Sequence, residues 1–518
     1  MSFINRKHSS MMDSENYSLK HTHWFIGFVL CAFVLLFGCN RLSDQEDQFF
    51  SQASENAELA NEGFRRCNRF MYAWLEKADP ETGLIPRNLG GSKDIWNAKD
   101  AAADNYPFMV LTASITDHEL YKGRLTDMLR TEERLTSRLG KLPDTWSFKK
   151  DDFERETLDT ADIIFGASEY IKDGLLPLTE WLGESPWSDR MLGMMDEIWK
   201  FASVSTAYGN IPTENIEIHG EMLQALPRLY FMTGKEKYLQ WALRLGNHYL
   251  TGEGYPGLFQ NNLRLRDHGC EIISGLCELY CCISYTKPEL KDKYKKPLSR
   301  LLNKILNVGR NNHGLFYNVV NLQNNEIINE GIADTWGYTL NGYYTVYLID
   351  KVEQYRQPVI KAFNNLDHYD AYDWESGSAD GYADAIESAL NLYNRESVAS
   401  AQKWIDDQTQ IMWSMQDSSH RENALKWKNS GIIEGWHGDG NFARTTIMYC
   451  LWKTQGLTAK PWDESLQFGA VSDTNTLYIS IRSDEEWNGK LIFDYSRHKE
   501  NMGLPLDYPR INQFMEWF

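Results

Sequence analysis

Four stretches of this chain gather carboxylates, histidines, arginines and tryptophans at the starts of helical patterns. The first is Trp96-Asn97-Ala98-Lys99-Asp100, running into Ala103-Asp104-Asn105-Tyr106. The second is His219-Gly220-Glu221-Met222 and the third is Arg264-Leu265-Arg266-Asp267-His268. The fourth is Glu434-Gly435-Trp436-His437-Gly438-Asp439-Gly440, whose glycines let the backbone come close to a neighbour. Two carboxyls, one holding its proton and one ionised, are what cleavage of a glycosidic bond needs. Indole rings cover the apolar face of a pyranose, which suits Trp96, Trp336 and Trp436 to sugar stacking. Asn105, His219 and His437 are candidates to bind sugar hydroxyls, or, for the two histidines, to tune the acid. Arg266, with His268 beside it, could hold a substrate carboxylate in a planar fork, and ordinary ion pairing at a helix start is the alternative. Asp380, Asp384 and Glu387 recur at steps of four and three, one helix face, and could add to the same wall.

Such residues need a scaffold that brings helix starts together. Apolar periodicity predicts helices near 54–77, 103–118, 124–136, 159–183, 188–203, 214–232, 235–250, 267–285, 288–309, 332–349, 378–393, 397–413 and 440–455. Turn signals such as Thr233-Gly234 join them in antiparallel pairs, with no convincing strand between. A mainly α fold, an (α/α)6 toroid of helical hairpins over 54–460, follows from that pattern. Beyond Pro461 the period changes. Thr476 to Arg482 alternates like a strand, Asn488-Gly489 reads as a turn, and Lys490 to Asp494 reads as its partner. Residues 461–518 are therefore expected to form a small, partial C-terminal all-β domain, truncated rather than docked on the helices.

The helix around Glu221 resembles that of unsaturated glucuronyl and rhamnogalacturonyl hydrolases, members of the six-hairpin glycosidases. In those families the proton-donating acid stands six residues before a proline, as Glu221 stands before Pro227. The turn Thr233-Gly234-Lys235-Glu236 is similar to the next inter-helix turn of the families, and Asp104-Asn105 resembles their second acid. The resemblance implies a glycoside hydrolase acting on uronic-acid-containing poly- or oligosaccharides, with Glu221 as general acid and Asp104 as its partner. Burial of Glu221 in a helix rich in core residues is expected to keep its proton available near neutral pH. Two other readings stay open. One is a polysaccharide lyase of α/α architecture using His268 and Arg266. The other is a surface glycan-binding lipoprotein of the helical SusD-like kind without turnover.

Composition narrows the partners. A formal charge of −19 over 518 residues repels nucleic acid phosphates. No metal-ligand spacing, phosphate loop or dinucleotide fingerprint is present, so no metal and no cofactor is expected. Cys67, Cys270, Cys277, Cys281, Cys282 and Cys450 read as buried packing. Residues 1–38 read as a signal peptide with the apolar run Phe25 to Phe37. Its end, Leu36-Phe37-Gly38-Cys39, resembles a bacterial lipobox with Cys39 as the acylated residue. Residues 39–53 read as an acidic tether like the export tags of Bacteroidetes-like surface lipoproteins. An exported, lipid-anchored protein of the outer membrane is the expectation.

Overall fold

The structure, a computed structural model, describes residues 44–417, 427 and 429–517. The signal peptide and Cys39 lie outside the described residues. Among those described, no helix is long and apolar enough to cross a membrane.

The chain is an α/α toroid. Its inner helical segments are Ala98–Asn105 continuing into Tyr106–Thr116, residues 160–182, Ile216–Thr233, Glu271–Thr286, Trp336–Asp350, Ala379–Tyr393 and Asn441–Thr454. Each packs on the next, and the last closes on the first. Outer helices alternate with them: Asp44–Leu75, Thr126–Thr136, Pro186–Lys200, Glu236–Thr251, Pro288–Val308, Glu353–Phe363 and Ala399–Asp417. Among the described residues this makes seven hairpins, one more than the six expected. The helix missing from the sequence reading is Glu353–Phe363, which is short and interrupted by Pro358, so its period is weak.

Burial separates the two rings. Every residue of Asn441–Thr454 is buried, because it meets protein all round. Pro288–Val308 instead buries one stripe, Tyr294, Leu298, Leu301, Leu302 and Ile305, and keeps its lysines in water. Inner helices approach closely where glycines face each other. A Cβ at Gly220 would lie 2.5 Å from the Ile272 nitrogen, and one at Gly275 would lie 2.7 Å from the Gly220 carbonyl. That contact sets Glu221 beside Glu271.

Short turns join inner to outer helices at one end, as at Gly234, whose left-handed φ of 65° ends Ile216–Thr233. Long connections join outer to inner helices at the other end. They hold small strands that the sequence reading did not expect, including the three-stranded sheet Asn262–Arg264, Tyr317–Asn321 and Glu326–Ile332. All seven inner segments therefore start at the same end, beneath ordered loops.

The ends of the described chain differ from expectation. The helix already begins at Asp44, so residues 44–53 of the expected tether belong to Asp44–Leu75. Phe49 and Phe50 within it pack on Tyr478, with centroids 4.8 and 5.4 Å apart. The late strands form no separate domain. Leu477–Ser483 pairs with Leu466–Ser472 and not with the stretch after Asn488-Gly489, because Asp473 accepts from the Asn475 and Thr476 backbone N–H groups and makes the turn. Lys490–Ile492 pairs with Thr458–Lys460. The larger hairpin docks on the first helix, where Asn56 and Asn61 donate to the carbonyls of Ala470 and Leu466.

After the short helix Arg497–Glu500 the chain enters the ring. Arg510 forks onto Glu180 at 2.5 and 3.2 Å, and Tyr508 donates to Glu278 at 2.9 Å. Asn391 donates to the Arg510 carbonyl at 2.5 Å. Residues 508–515 are buried and lie inside the toroid, beneath the helix starts.

Candidate active site

A cavity of about 570 Å³ opens where the inner helices begin, and all seven inner segments or the residues just before them contribute to its wall. Their positive N-terminal ends face it, which favours carboxylates there. Eleven Asp and Glu side chains border it together with four Lys and Arg and two histidines, so acids and cations are interleaved along the wall.

Three of these acids sit in widened, π-helical turns: Asp100 and Asp104 in Ala98–Asn105 and Asp173 in Tyr170–Leu175. Such turns rotate side chains off the regular helical faces and recur at functional sites. The two turns touch: a Cβ at Gly174, next to Asp173, would lie 3.0 Å from the carbonyl of Ala103, next to Asp104. Asp104 and Asp173 are thus brought to one wall.

Around Asp104, His437 Nε2 lies 3.6 Å from its Oδ2 and 4.0 Å from Asp100 Oδ1. Arg87 holds Asp100 at 2.6 Å. The glycines of the 435–440 loop do allow close approach, but to this helix. A Cβ at Gly438 would lie 2.2 Å from Asn105 Nδ2, and one at Gly440 2.2 Å from the Asp104 carbonyl. Burial pushes the Asp104 carboxyl up to about 8; His437 pulls it down, and Asp173, Asp380 and Asp100 add to the rise. Burial disfavours the His437 imidazolium, yet Asp104, Asp100 and Asp380 lift it to about 9.

Around Asp173, Lys172 Nζ sits 2.6 Å from Oδ1 and also pairs with Glu271. Asn512 Nδ2 donates to the same Oδ1 at 3.1 Å, and Oδ2 lies 3.9 Å from His268 Nδ1. Burial opposes ionisation of Asp173, but Lys172 and His268 outweigh it and hold the carboxyl below its ordinary value. His268 lies 3.4 Å from Glu169 and 3.4 Å from Glu271. Against the cost of burial, Glu169, Asp267 and Glu271 hold its imidazole protonated well above the usual range.

The remaining cations are paired. Arg444 binds Asp384 at 2.6 Å and Glu387 at 2.9 Å, with the Tyr338 hydroxyl within hydrogen-bond distance of both carboxylates. Arg264 binds Glu217 at 3.1 Å and also Asp267. Carboxylate–histidine groups at metal-ligand spacing occur around His437 (Asp100, Asp104) and around His268 (Glu169 with Glu221, Asp173 with Glu271). In both groups imidazolium, Arg87 or Lys172 already lies against the carboxylates.

Of the residues singled out in the sequence, Asp104, His268, Trp436 and His437 border this cavity. Trp436 stands at its rim, 78% exposed, with Arg87 over its ring at 5.6 Å. Glu221 does not border it. Its side chain is fully buried, takes a hydrogen bond from Ser168 and lies behind Glu169 and His268. Burial and the Glu271 charge do push it up to about 8, as expected, but it has no direct path to a substrate oxygen. His219 is buried against Tyr249 at 2.7 Å, and burial lowers it to about 3. Trp96 is held in a strand opposite Trp146, Trp336 packs on Phe363, and Asn105 is sealed under Gly438. None of these four reaches the cavity, because each side chain points into inter-helix packing. Arg266 is spent on Glu375 at 3.1 Å and lies outside the wall.

Asp380 and Asp384 face the cavity as their spacing suggested, with Glu387 one turn deeper and buried. Glu169, Lys172 and Asp173 were missed. Their signal was present: charges at steps of three and four inside the otherwise apolar run from Ile163 to Leu178.

No protein-family model and no curated protein matches the chain. Solved structures with some likeness include the GH76A α-1,6-mannanase from Salegentibacter sp., at 10% identity over 62% of this chain and 95% of that one, TM-score 0.41. Cellobiose 2-epimerase from Bacillus thermoamylovorans gives 13% identity over 76% and 99%, TM-score 0.41. An unsaturated glucuronyl hydrolase gives 11% over 57% and 86%, TM-score 0.37. Likeness of this size says nothing of reaction or substrate.

Proposed function

We propose that this chain is a glycoside hydrolase for hydroxyl-rich, uncharged sugars, with Asp104 as proton donor and Asp173 as base or nucleophile. The observation that carries this reading is the pair itself. Two carboxyls on one cavity wall have been driven apart, Asp104 towards the neutral acid and Asp173 towards the anion. Asp104 gives its proton to the glycosidic oxygen as the C–O bond breaks. Asp173, held ionised by Lys172 and His268, activates water or attacks the anomeric carbon. The surrounding carboxylates accept hydrogen bonds from sugar hydroxyls, and Trp436 offers an indole face at the rim.

The resemblance at Glu221 favours a uronide substrate, but the charge of the site favours a neutral one. Arg264, Lys172 and Arg444 are already bridged by carboxylates and Lys99 lies 3.7 Å from Asp162, so among the described residues a uronate would have to compete with a carboxylate for every Lys and Arg of the wall. A lyase needs a neutral base, and His268 is held as imidazolium by Glu169, Asp267 and Glu271. The lipobox-like end of residues 1–39 supports a reaction outside the cytoplasm.

A panel of neutral oligosaccharides and matched uronides tests the reading. Release of reducing ends from a neutral member, with kcat/KM at least ~10-fold above its uronide counterpart, is expected if an unpaired buried charge costs even ~1.4 kcal/mol. Preference for the uronide would overturn the substrate assignment, and binding without turnover would favour a glycan-binding protein.

A further inference from the structure

The cavity floor is completed by a residue far from every helix start in sequence. Asn512 borders the cavity, is 1% exposed and adopts a left-handed backbone, φ 60°. Its backbone N–H donates to Glu387 Oε1 at 2.6 Å, and Glu387 in turn binds Arg444. Its side-chain Nδ2 donates to Asp173 twice, to Oδ1 at 3.1 Å and to the main-chain carbonyl at 3.2 Å. The segment carrying it is fastened on three sides, by Arg510 on Glu180, Tyr508 on Glu278 and Asn391 on the Arg510 carbonyl.

Asp173 is the acid whose geometry this arrangement decides. Lys172 and Asn512 both take Oδ1, and the contact to the Asp173 carbonyl fixes the π-helical turn on which it stands. Oδ2 lies on the other side of the carboxylate, 3.9 Å from His268 Nδ1. We infer that Asn512 is a positioning residue of the active site, acting through Asp173 by pinning one carboxylate oxygen and the turn that carries it, and so setting the orientation of the carboxylate at the cavity wall. The inference rests on the assignment of Asp173 as base or nucleophile.

Asn512→Gly is the informative variant, because glycine keeps the left-handed backbone and the N–H to Glu387 and removes only the amide. On the neutral oligosaccharide that the parent turns over, kcat is expected to fall by roughly tenfold or more while KM stays within about twofold, the pattern of lost alignment rather than lost binding. Asn512→Asp, which sets a carboxylate against Asp173, is expected to lose more. In an Asp173→Asn background, Asn512→Gly is expected to change kcat little further, since both act on one group. Parent kcat in Asn512→Gly with an unchanged thermal midpoint would overturn the inference, as would a loss that simply adds to that of Asp173→Asn. A parent that cleaves no glycan would instead sink the functional reading on which it rests.

Discussion

Asp104→Asn is expected to lower kcat by roughly a hundredfold to ten-thousandfold, the usual worth of a general acid, while oligosaccharide binding persists. Asparagine keeps the size of the side chain and cannot give up a proton. The same assignment fixes the sign of the pH dependence. Asp104 works as the neutral acid, so activity is present below its value of about 8 and is lost as pH rises through it. Asp173 works as the anion, so the acid-side loss comes only below the ordinary aspartate range, because Lys172 and His268 hold its carboxyl low. Steady-state rates of parent and variant from about pH 2 to about pH 10 check both statements. Near-parent turnover by Asp104→Asn would remove it from the chemistry.

The second large effect concerns the fold. Arg510 and Glu180 are fully desolvated, with side chains 0% and 2% exposed, and Glu180 makes its side-chain hydrogen bonds to Arg510 alone among the described residues. Arg510→Met leaves that carboxylate buried and unpaired, which is expected to destabilise the protein by about 3–5 kcal/mol. Adding Glu180→Leu removes the stranded charge and is expected to restore most of the loss. Urea denaturation of the parent and both variants checks this. If Arg510→Met alone left the midpoint unchanged, the terminal segment would not be a structural part of the ring.

The toroid was legible in the sequence because inner and outer helices announce themselves by opposite patterns, apolar throughout in Asn441–Thr454 and striped in Pro288–Val308. The seventh hairpin was not, since Pro358 breaks the period of Glu353–Phe363. The site was half legible. Asp104, His268, Trp436 and His437 stand where helices begin, and helix starts form the wall. Glu221 stands in the same kind of sequence but one step from the wall, because facing glycines press its helix against Glu271. Asp173 escaped notice although it stands four residues after Glu169 in an apolar run, and the π-helical turn that aims it has no periodicity of its own. Asn512 could not be found locally at all. Only the tertiary path of the terminal segment carries it to Asp173, from 339 residues away.

The most direct test is hydrolysis in water enriched in oxygen-18, using the neutral oligosaccharide that the parent turns over and mass spectrometry of the products. The account predicts one heavy oxygen at the anomeric carbon of the released sugar, no new ultraviolet absorbance, and loss of product with Asp104→Asn and Asp173→Asn. An unlabelled, unsaturated sugar would mean elimination, and an unlabelled isomer of the starting sugar would mean proton transfer without cleavage; either would contradict it.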